Sequence, residues 1–257
     1  MPFRILSVSE ARAAGGVRMV VTRAIPNPWS EAAKGLLHRR AIPWQGVYLD
    51  QRDPEVAAFS GTHNSPALVN DDEPGLSHWL DILTFAEGHG SGAPLLPAEP
   101  DARAEVLSLC HLLCEPQGLG WYRRLLTVHR GLNEQPGGFP VPVAQYLGSK
   151  YGYQAEEAGD YEDKVVNLLN RLSARLNAQK KAGSPYLVGH SLTAADVYCA
   201  CFMAYFSPLD ESQCAMVPSF RIAFSSLSAA EQQALEPVLL QHRDFIYGQY
   251  LELPLTL

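Results

Sequence analysis

The chain has 257 residues, 47% of them apolar and 18% charged. That composition is ordinary for a globular protein and far from the polar, highly charged range that stays disordered. With 20 Lys and Arg against 27 Asp and Glu, the net charge of −7 argues against a nucleic-acid backbone as the main partner. The longest apolar run, Val197 to Phe206, is about half of what a bilayer span needs, so no membrane partner is expected. The N-terminal run MPFRILSVSEARAAGG has no long apolar core and no small-residue cleavage site, so secretion is not expected. Five cysteines spread through the chain are expected as reduced thiols of a cytoplasmic protein.

Residues 1–18 are weakly patterned and read as an N-terminal extension. Met19 to Ile25 is a β-branched run of strand length, stopped by Pro26-Asn27-Pro28. A helix is predicted over Ser30 to Ala41, with Glu31 in its first turn and His38, Arg39 and Arg40 in its last, as the helix dipole favours. Trp44 to Leu49 reads as a second strand and Asp53 to Phe59 as a short helix. Pro66 at the head of Ala67-Leu68-Val69 marks a strand start or a turn with a cis bond. Asp71-Asp72 supplies a turn, and Glu73 to Leu76 would form a short edge strand. Ser77 is expected to cap a helix running to about Glu87.

Gly88 to Pro100 is rich in Gly and Pro and reads as the boundary between two domains. Helices are expected beyond it over Asp101 to Cys114, Tyr161 to Gln179, Thr193 to Tyr205 and Ser228 to Tyr250. The last opens with Ser228-Ala229-Ala230-Glu231, a capping-box pattern. Asn133 to Gln154, rich in Gly, Pro and Tyr, reads as an ordered loop or insertion.

Three signatures in order resemble the cytosolic glutathione S-transferase superfamily over nearly the whole chain. They are Pro26-Asn27-Pro28-Trp29-Ser30 between the first strand and helix, Asn64-Ser65-Pro66-Ala67-Leu68-Val69, and Leu187 to Asp196 with Thr193 and Asp196. In that family the second marks a cis-proline strand start. The third caps the central helix of the second domain with a Thr or Ser and an Asp three residues later. The resemblance implies an α+β chain of two domains: a thioredoxin-like α/β domain over 19–88, a linker over 89–100 and an all-helical domain over 101–257.

It also implies glutathione as co-substrate, a small hydrophobic electrophile as the second substrate, and a homodimer. The reaction would be conjugation of the glutathione thiol to the electrophile, with peroxide reduction by the same thiolate as a further activity. Ser30 or Asn27 would activate the thiol. In serine-type members the catalytic Ser opens a Ser-Pro-aromatic run, a position held here by Asn27. Trp29, Ser65, Pro66, Ser77 and His78 would hold the tripeptide, Ser65 through its backbone. An acidic residue is missing from the start of the third helix of the motif, where Ser77 and His78 fall. Trp121 and Tyr122 would line the electrophile pocket; the plainer reading buries part of Gly120-Trp121-Tyr122-Arg123-Arg124 and leaves the arginines solvated. The alternative function is a non-catalytic protein of the same fold that binds a hydrophobic ligand or a protein partner.

Other signals carry less. Val188-Gly189-His190-Ser191-Leu192 imitates a hydrolase nucleophile elbow, followed by Asp210 and His242 in hydrolase order, but Thr193 stands where that motif needs Gly. Cys110 and Cys114 lie one helical turn apart, and Cys199 and Cys201 fall in the most apolar helix, so all four read as packed thiols. No zinc-like spacing of His and Cys occurs, and no metal is expected.

Overall fold

In a computed structural model, which describes residues 3–256, the N-terminal third forms a four-stranded sheet and the remainder is helical. Strand β1 (Ile5–Leu6) and helix α1 (Val8–Ala13) lie in the segment expected as an extension. A capping box of Ser7 and Glu10 starts α1. The other elements of this part are β2 (Val17–Val21), α2 (Pro28–Arg39), β3 (Trp44–Tyr48), α3 (Pro54–Ser60), β4 (Ala67–Asn70) and α4 (Trp79–His89). The sheet order is β1-β3-β2-β4. β1 and β2 run parallel to β3, and β4 runs antiparallel to β2.

All five residues of β2 are buried, and the pleat explains why. Val17, Met19 and Val21 join the main core with Leu36, Leu37 and Leu68. Val20 points to the other face, into a smaller core with Leu6, Ala11, Val47, Val56 and Ala67. The first residues therefore build an added strand and a lid over that second face. A pair of residues is too short a strand for periodicity to reveal it.

The expected edge strand over 73–76 shrinks to one bridge, Leu76 with Leu68, each donating its N–H to the other at 2.7 Å. Pro74 has no N–H to extend the ladder. Helix α4 starts one residue later than expected. His78, not Ser77, is the N-cap, its Nδ1 accepting the Leu80 N–H at 3.3 Å. The Ser65–Pro66 bond is cis.

The Gly/Pro-rich segment after α4 is fastened, not loose. Leu95 and Leu96 are buried, and their N–H groups donate to the Glu87 carboxylate at 3.0 and 3.3 Å. Buried Arg40 pairs with Glu87 at 3.1 Å and donates to the carbonyls of Ala86, Gly90 and Gly92.

The helical part comprises α5 (Pro100–Cys114), α6 (Leu119–Leu132), α7 (Val141–Tyr151), α8 (Ala158–Lys181), α9 (Ala194–Met203), α10 (Pro218–Ser225), α11 (Ala229–Ala234) and α12 (Pro237–Tyr250). Helix α7 fills the segment expected as a loop. Pro142 is tolerated in its first turn, and Gly152, at φ 69°, ends it. The helix expected over Ser228 to Tyr250 is two helices. The Ser228/Glu231 box starts the short α11, and Pro237 starts α12 on a new axis. Among the described residues no helix is long and apolar enough to cross a membrane.

All ten residues of α9 are buried, and it packs against α2, α5 and α12. Its start is held by Asp196. That carboxylate accepts from the Leu187 N–H at 2.7 Å and from the Thr193 N–H and hydroxyl at 2.8 Å each. It also pairs with His242 of α12 at 3.0 Å. His242 is thus spent on Asp196, and Ser191 is exposed, so no hydrolase triad assembles. Asp196→Ala is expected to destabilise the protein by about 3–5 kcal/mol, because it leaves buried donors and a buried histidine without a partner. Denaturant unfolding measures this; a loss below about 1 kcal/mol would mean that the box does not hold α9.

A second cap gives a pH signature. Glu99 starts α5, and the N–H groups of Ala102 and Asp101 hold its carboxyl below the usual carboxylate range. A depressed folded pKa gives stability that is present above the unfolded value and lost as pH falls through the folded one. The melting gap between the wild type and Glu99→Ala is therefore expected to be widest at neutral pH and to narrow through the acid range. Thermal melts across that range check it, and a gap independent of pH would contradict it.

Candidate functional site

A cavity of about 320 Å³ opens between the sheet and the helices. On the sheet side it is lined by the turn after β2, from Thr22 to Pro28, by Leu49 and Gln51 after β3, and by Ser65. On the helical side it is lined by Arg124 of α6, by one face of α7 from Val143 to Tyr151, and by an aromatic group of Phe139, Tyr205, Phe220 and Phe224.

The turn before α2 is built by Asn27 and Pro28. Asn27 is the N-cap, its Oδ1 accepting the Trp29 N–H at 3.2 Å, and Pro28 takes the first helical position, where its missing N–H costs nothing. The Asn27 amide donates to the Ser65 carbonyl at 2.9 Å. This bond ties the first helix to the cis-proline turn, so Asn27 and Ser65, expected to share a site, stand together on the cavity wall. The N-terminus of α2 adds partial positive charge at the same place.

Ser30 lies differently from its expected role. It is 1% exposed and does not line the cavity. Its hydroxyl meets the Ser65 hydroxyl at 2.9 Å, and Ser65 Oγ also reaches the Val20 carbonyl at 3.3 Å. Three residues past the cap, Ser30 has turned to the sheet side of α2, where it joins the helix to the strand start. Pro66 is buried behind Ser65, and neither it nor Ser77 lines the cavity.

Trp29 supports the cavity from behind. Its indole N–H donates to the Cys114 carbonyl at 3.1 Å, and its ring meets Phe202 edge-on at 4.8 Å. Gly120 makes the room: a Cβ there would stand 2.7 Å from Trp29 and 2.2 Å from Phe202. The other face of Trp29 carries the Arg124 guanidinium at 4.2 Å from the ring centroid.

Trp121 and Tyr122, expected at the electrophile pocket, do not line it. Trp121 packs edge-on against Tyr151, which does, and Tyr122 lies against Tyr161 with Lys164 over its ring. Successive residues on a helix point about 100° apart, so the two arginines that follow separate as well. Arg123 is fully buried and paired with Glu231 at 2.7 Å, and Arg124 faces the cavity. Neither is solvated as the plainer reading had it.

His78 sits at the start of α4 with an unexpected partner. One oxygen of Glu115, the residue that ends α5, meets His78 Nε2 at 2.7 Å and accepts from the Trp79 indole at 2.6 Å. The carboxylate missing from the Ser77–His78 positions is thus supplied in space by the helical part. Nothing in the local pattern around Glu115 announces this.

The cavity carries Arg23, Arg124 and Lys150, and among the described residues no Asp or Glu stands in its wall. Lys150 of α7 also spans the opening and donates to the His63 carbonyl at 2.9 Å. Tyr205 is neutral at ordinary pH: burial pushes its phenol up, against the opposing pull of Arg124 and Arg123. The thiols of Cys110, Cys114, Cys199 and Cys201 are free and buried away from the cavity, and burial raises them all, Cys201 to about 12. They are packing groups, not nucleophiles. Among the described residues no cluster of His, Cys, Asp and Glu could hold a metal ion.

No known family model matches the sequence, and no curated protein matches it. Solved structures do. A glutathione S-transferase from Methylobacterium radiotolerans, in complex with glutathione sulfonate, is 16% identical, with 91% of each chain covered and a TM-score of 0.62. A beta-etherase from Sphingobium is 15% identical over 90% of this chain and 99% of its own, at a TM-score of 0.57. A maleylacetoacetate isomerase from Methylobacterium extorquens, with bound malonate and glutathione, is 24% identical over 86% of this chain and 98% of its own, at 0.50. The chain therefore has the glutathione S-transferase fold, a thioredoxin-like α/β unit followed by a helical one.

The hydroxyl and amide ties at the α2 turn can be weighed separately. Ser30→Ala and Asn27→Ala are each expected to cost about 1 kcal/mol, one through a lost neutral hydrogen bond and the other through a lost cap. Denaturant melts of the two variants check this, and an unchanged midpoint for Ser30→Ala would show that its bond to Ser65 contributes nothing.

Proposed function

We propose that the protein is a glutathione-dependent transferase, joining the glutathione thiol to an electrophile held in the cavity between the sheet and the helices. One juxtaposition carries the reading. The start of α2 and the residue before the cis-proline meet at the wall of an apolar cavity, through the Asn27–Ser65 bond. Solved structures of this fold with glutathione or glutathione sulfonate bound support it.

The residues fit the tripeptide. Its cysteinyl part would pair with the Ser65 backbone as an added strand. The Ser65 carbonyl already accepts from Asn27, but a carbonyl oxygen has a second lone pair to offer. Its ammonium end needs a carboxylate, which Glu115, held beside His78 at the start of α4, would supply.

A free thiol has a pKa of about 8.5, so the protein must favour the thiolate at neutral pH. The α2 N-terminus does so electrostatically, and Asn27 has one amide hydrogen not engaged by Ser65. The thiol proton leaves to solvent. The sulfur lone pair then forms the C–S bond. In substitution, the bond to the leaving group breaks and that group departs with its electron pair. In addition, the electron pair of the activated double bond moves to the far atom, which is protonated from water. The apolar cavity would exclude bulk water from the reacting carbon.

A ligand-binding protein that does no conjugation is the second reading. It is favoured by the Asn27 amide being engaged with Ser65 and by no serine hydroxyl standing in the turn itself. Calorimetric titration with reduced glutathione separates the two, and one saturable site per chain is expected. Asn27→Ala is expected to lower kcat/KM for conjugation of 1-chloro-2,4-dinitrobenzene by about tenfold or more, and Ser30→Ala by less than about threefold. No binding at millimolar glutathione would overturn the transferase reading and leave the ligand-binding one.

A further inference from the structure

Most buried cations in this fold meet carboxylates, and Arg18 instead donates to the backbone carbonyls of Gly16 and Asp71. Lys34 pairs with Glu31, Arg40 with Glu87, Arg123 and Arg130 with Glu231, and Arg243 with Asp244. Arg124, 9% exposed, is in no ion pair among the described residues. Its guanidinium lies between Trp29 and Tyr151, 4.2 Å from each ring centroid. Its polar neighbour is the Tyr205 hydroxyl, which is itself uncharged.

A guanidinium held over two rings in this way gives them none of its hydrogen bonds, so its planar fork of N–H donors stays available to match a carboxylate. The two rings also hold the side chain in one place before any ligand arrives, so less rotamer entropy is lost on binding. Arg124 stands beside the positive end of α2, in a cavity that adds Arg23 and Lys150 and offers no acidic side chain. A cation so placed lacks its counter-charge. The rest of the wall is apolar and aromatic, with Phe139, Phe220 and Phe224 facing the same space.

We propose that the ligand of this cavity is an aromatic carboxylate, its acid group on the edge of the Arg124 guanidinium and its ring against Phe139, Phe220 and Phe224. That this anion is also the electrophile receiving the glutathione sulfur rests on the transferase reading above. The anion site itself can be tested apart from glutathione. The carboxylate takes no part in bond making; it orients the ring so that the reacting carbon faces the α2 turn.

The probes are 2-naphthoate and its neutral analogue 2-naphthamide, titrated calorimetrically into the full chain with and without saturating reduced glutathione. The acid is expected to bind about tenfold or more tighter than the amide. That preference is expected to vanish in Arg124→Met, with amide affinity little changed, and to be only partly kept in Arg124→Lys, which retains the charge but not the planar fork. Thermal melts establish that each variant is folded. Should Arg124→Met not fold, the wild-type comparison and Arg124→Lys still decide. Equal binding of acid and amide overturns the proposal, as does a preference that survives in folded Arg124→Met, or full retention in Arg124→Lys. Displacement of naphthoate by glutathione also overturns it, because the anion meeting Arg124 would then be a carboxylate of glutathione itself. If the acid is preferred through Arg124 but glutathione does not bind, the anion site stands and the transferase reading falls. Where both bind, conjugation of 4-chloro-3-nitrobenzoate and 4-chloro-3-nitrobenzamide, each relative to its rate without protein, is expected to favour the acid through Arg124. Failure to do so would remove the electrophile role from the bound anion.

Discussion

The Asp196 carboxylate is the interaction on which the rest of the architecture hangs. Helix α9 is buried on every side, so its first turn has no water to satisfy its N–H groups, and its neighbours have no solvent through which to slide. One carboxylate closes the turn through Thr193, fastens the chain at Leu187 and pairs with His242 on α12. The N–H of Ala194 in the same turn donates to the Leu95 carbonyl, which attaches the segment leaving α4. Helix α2 then packs on α9 closely enough that a Cβ at Gly35 would stand 3.0 Å from Val197. The position of the α2 N-terminus, and with it the cavity wall, is inherited from that contact.

Two arginines adjacent in sequence show how helix geometry divides labour. Arg123 is drawn inward, where Glu231 and the carbonyls of Ala223, Phe224 and Ser226 accept from its two terminal nitrogens. Glu231 takes Arg130 on its other oxygen and caps α11 through the Ser228 N–H. The loop from α10 to α11 is thereby locked to α6, which holds Phe220 and Phe224 at the cavity. Arg124 points to the cavity, where rings supply its contacts and no carboxylate does. The chain carries an excess of acidic residues overall, yet the wall of the cavity between the sheet and the helices is cationic. Net charge is a statement about the surface seen from afar, and a cleft can hold the opposite sign.

Much of this was legible in the sequence wherever a local rule acts alone. The stripe Val165, Leu168, Leu169, Leu172 and Leu176 follows the period of α8, all buried but the half-buried Leu168, and Thr193 with Asp196 forms the box that their spacing implies. Ser65 and Asn27, which the resemblance assigns to one site, meet through the Asn27 amide and the Ser65 carbonyl. What was not legible depends on partners far along the chain. Ile5 and Leu6 form a strand only because β3 offers them an edge at Gly46 and Val47. Ser30 sits at a helix start, where a catalytic hydroxyl is expected, but its direction is decided by Ser65, 35 residues away. Helix α7 was hidden by its own prolines and glycines, which mark its two ends and do not interrupt its middle.

The site shows the same division at finer scale. Its backbone elements, a helix start and a cis-proline turn, follow from local residues that any reading of Pro28 and Pro66 brings forward. The charges that would select a ligand come from elsewhere: Glu115 from the end of α5, Arg124 from α6, Lys150 from α7. Each is one charged residue on an amphipathic helix and is indistinguishable by pattern from a solvated one. Only packing tells them apart. Trp29 and Tyr151 can close on Arg124 because Gly120 lets Trp29 approach α6 and because Trp121 braces Tyr151 from behind. Gly120 and Trp121 therefore act on the cavity without lining it, and a change at either would shift the guanidinium before it touched any ligand.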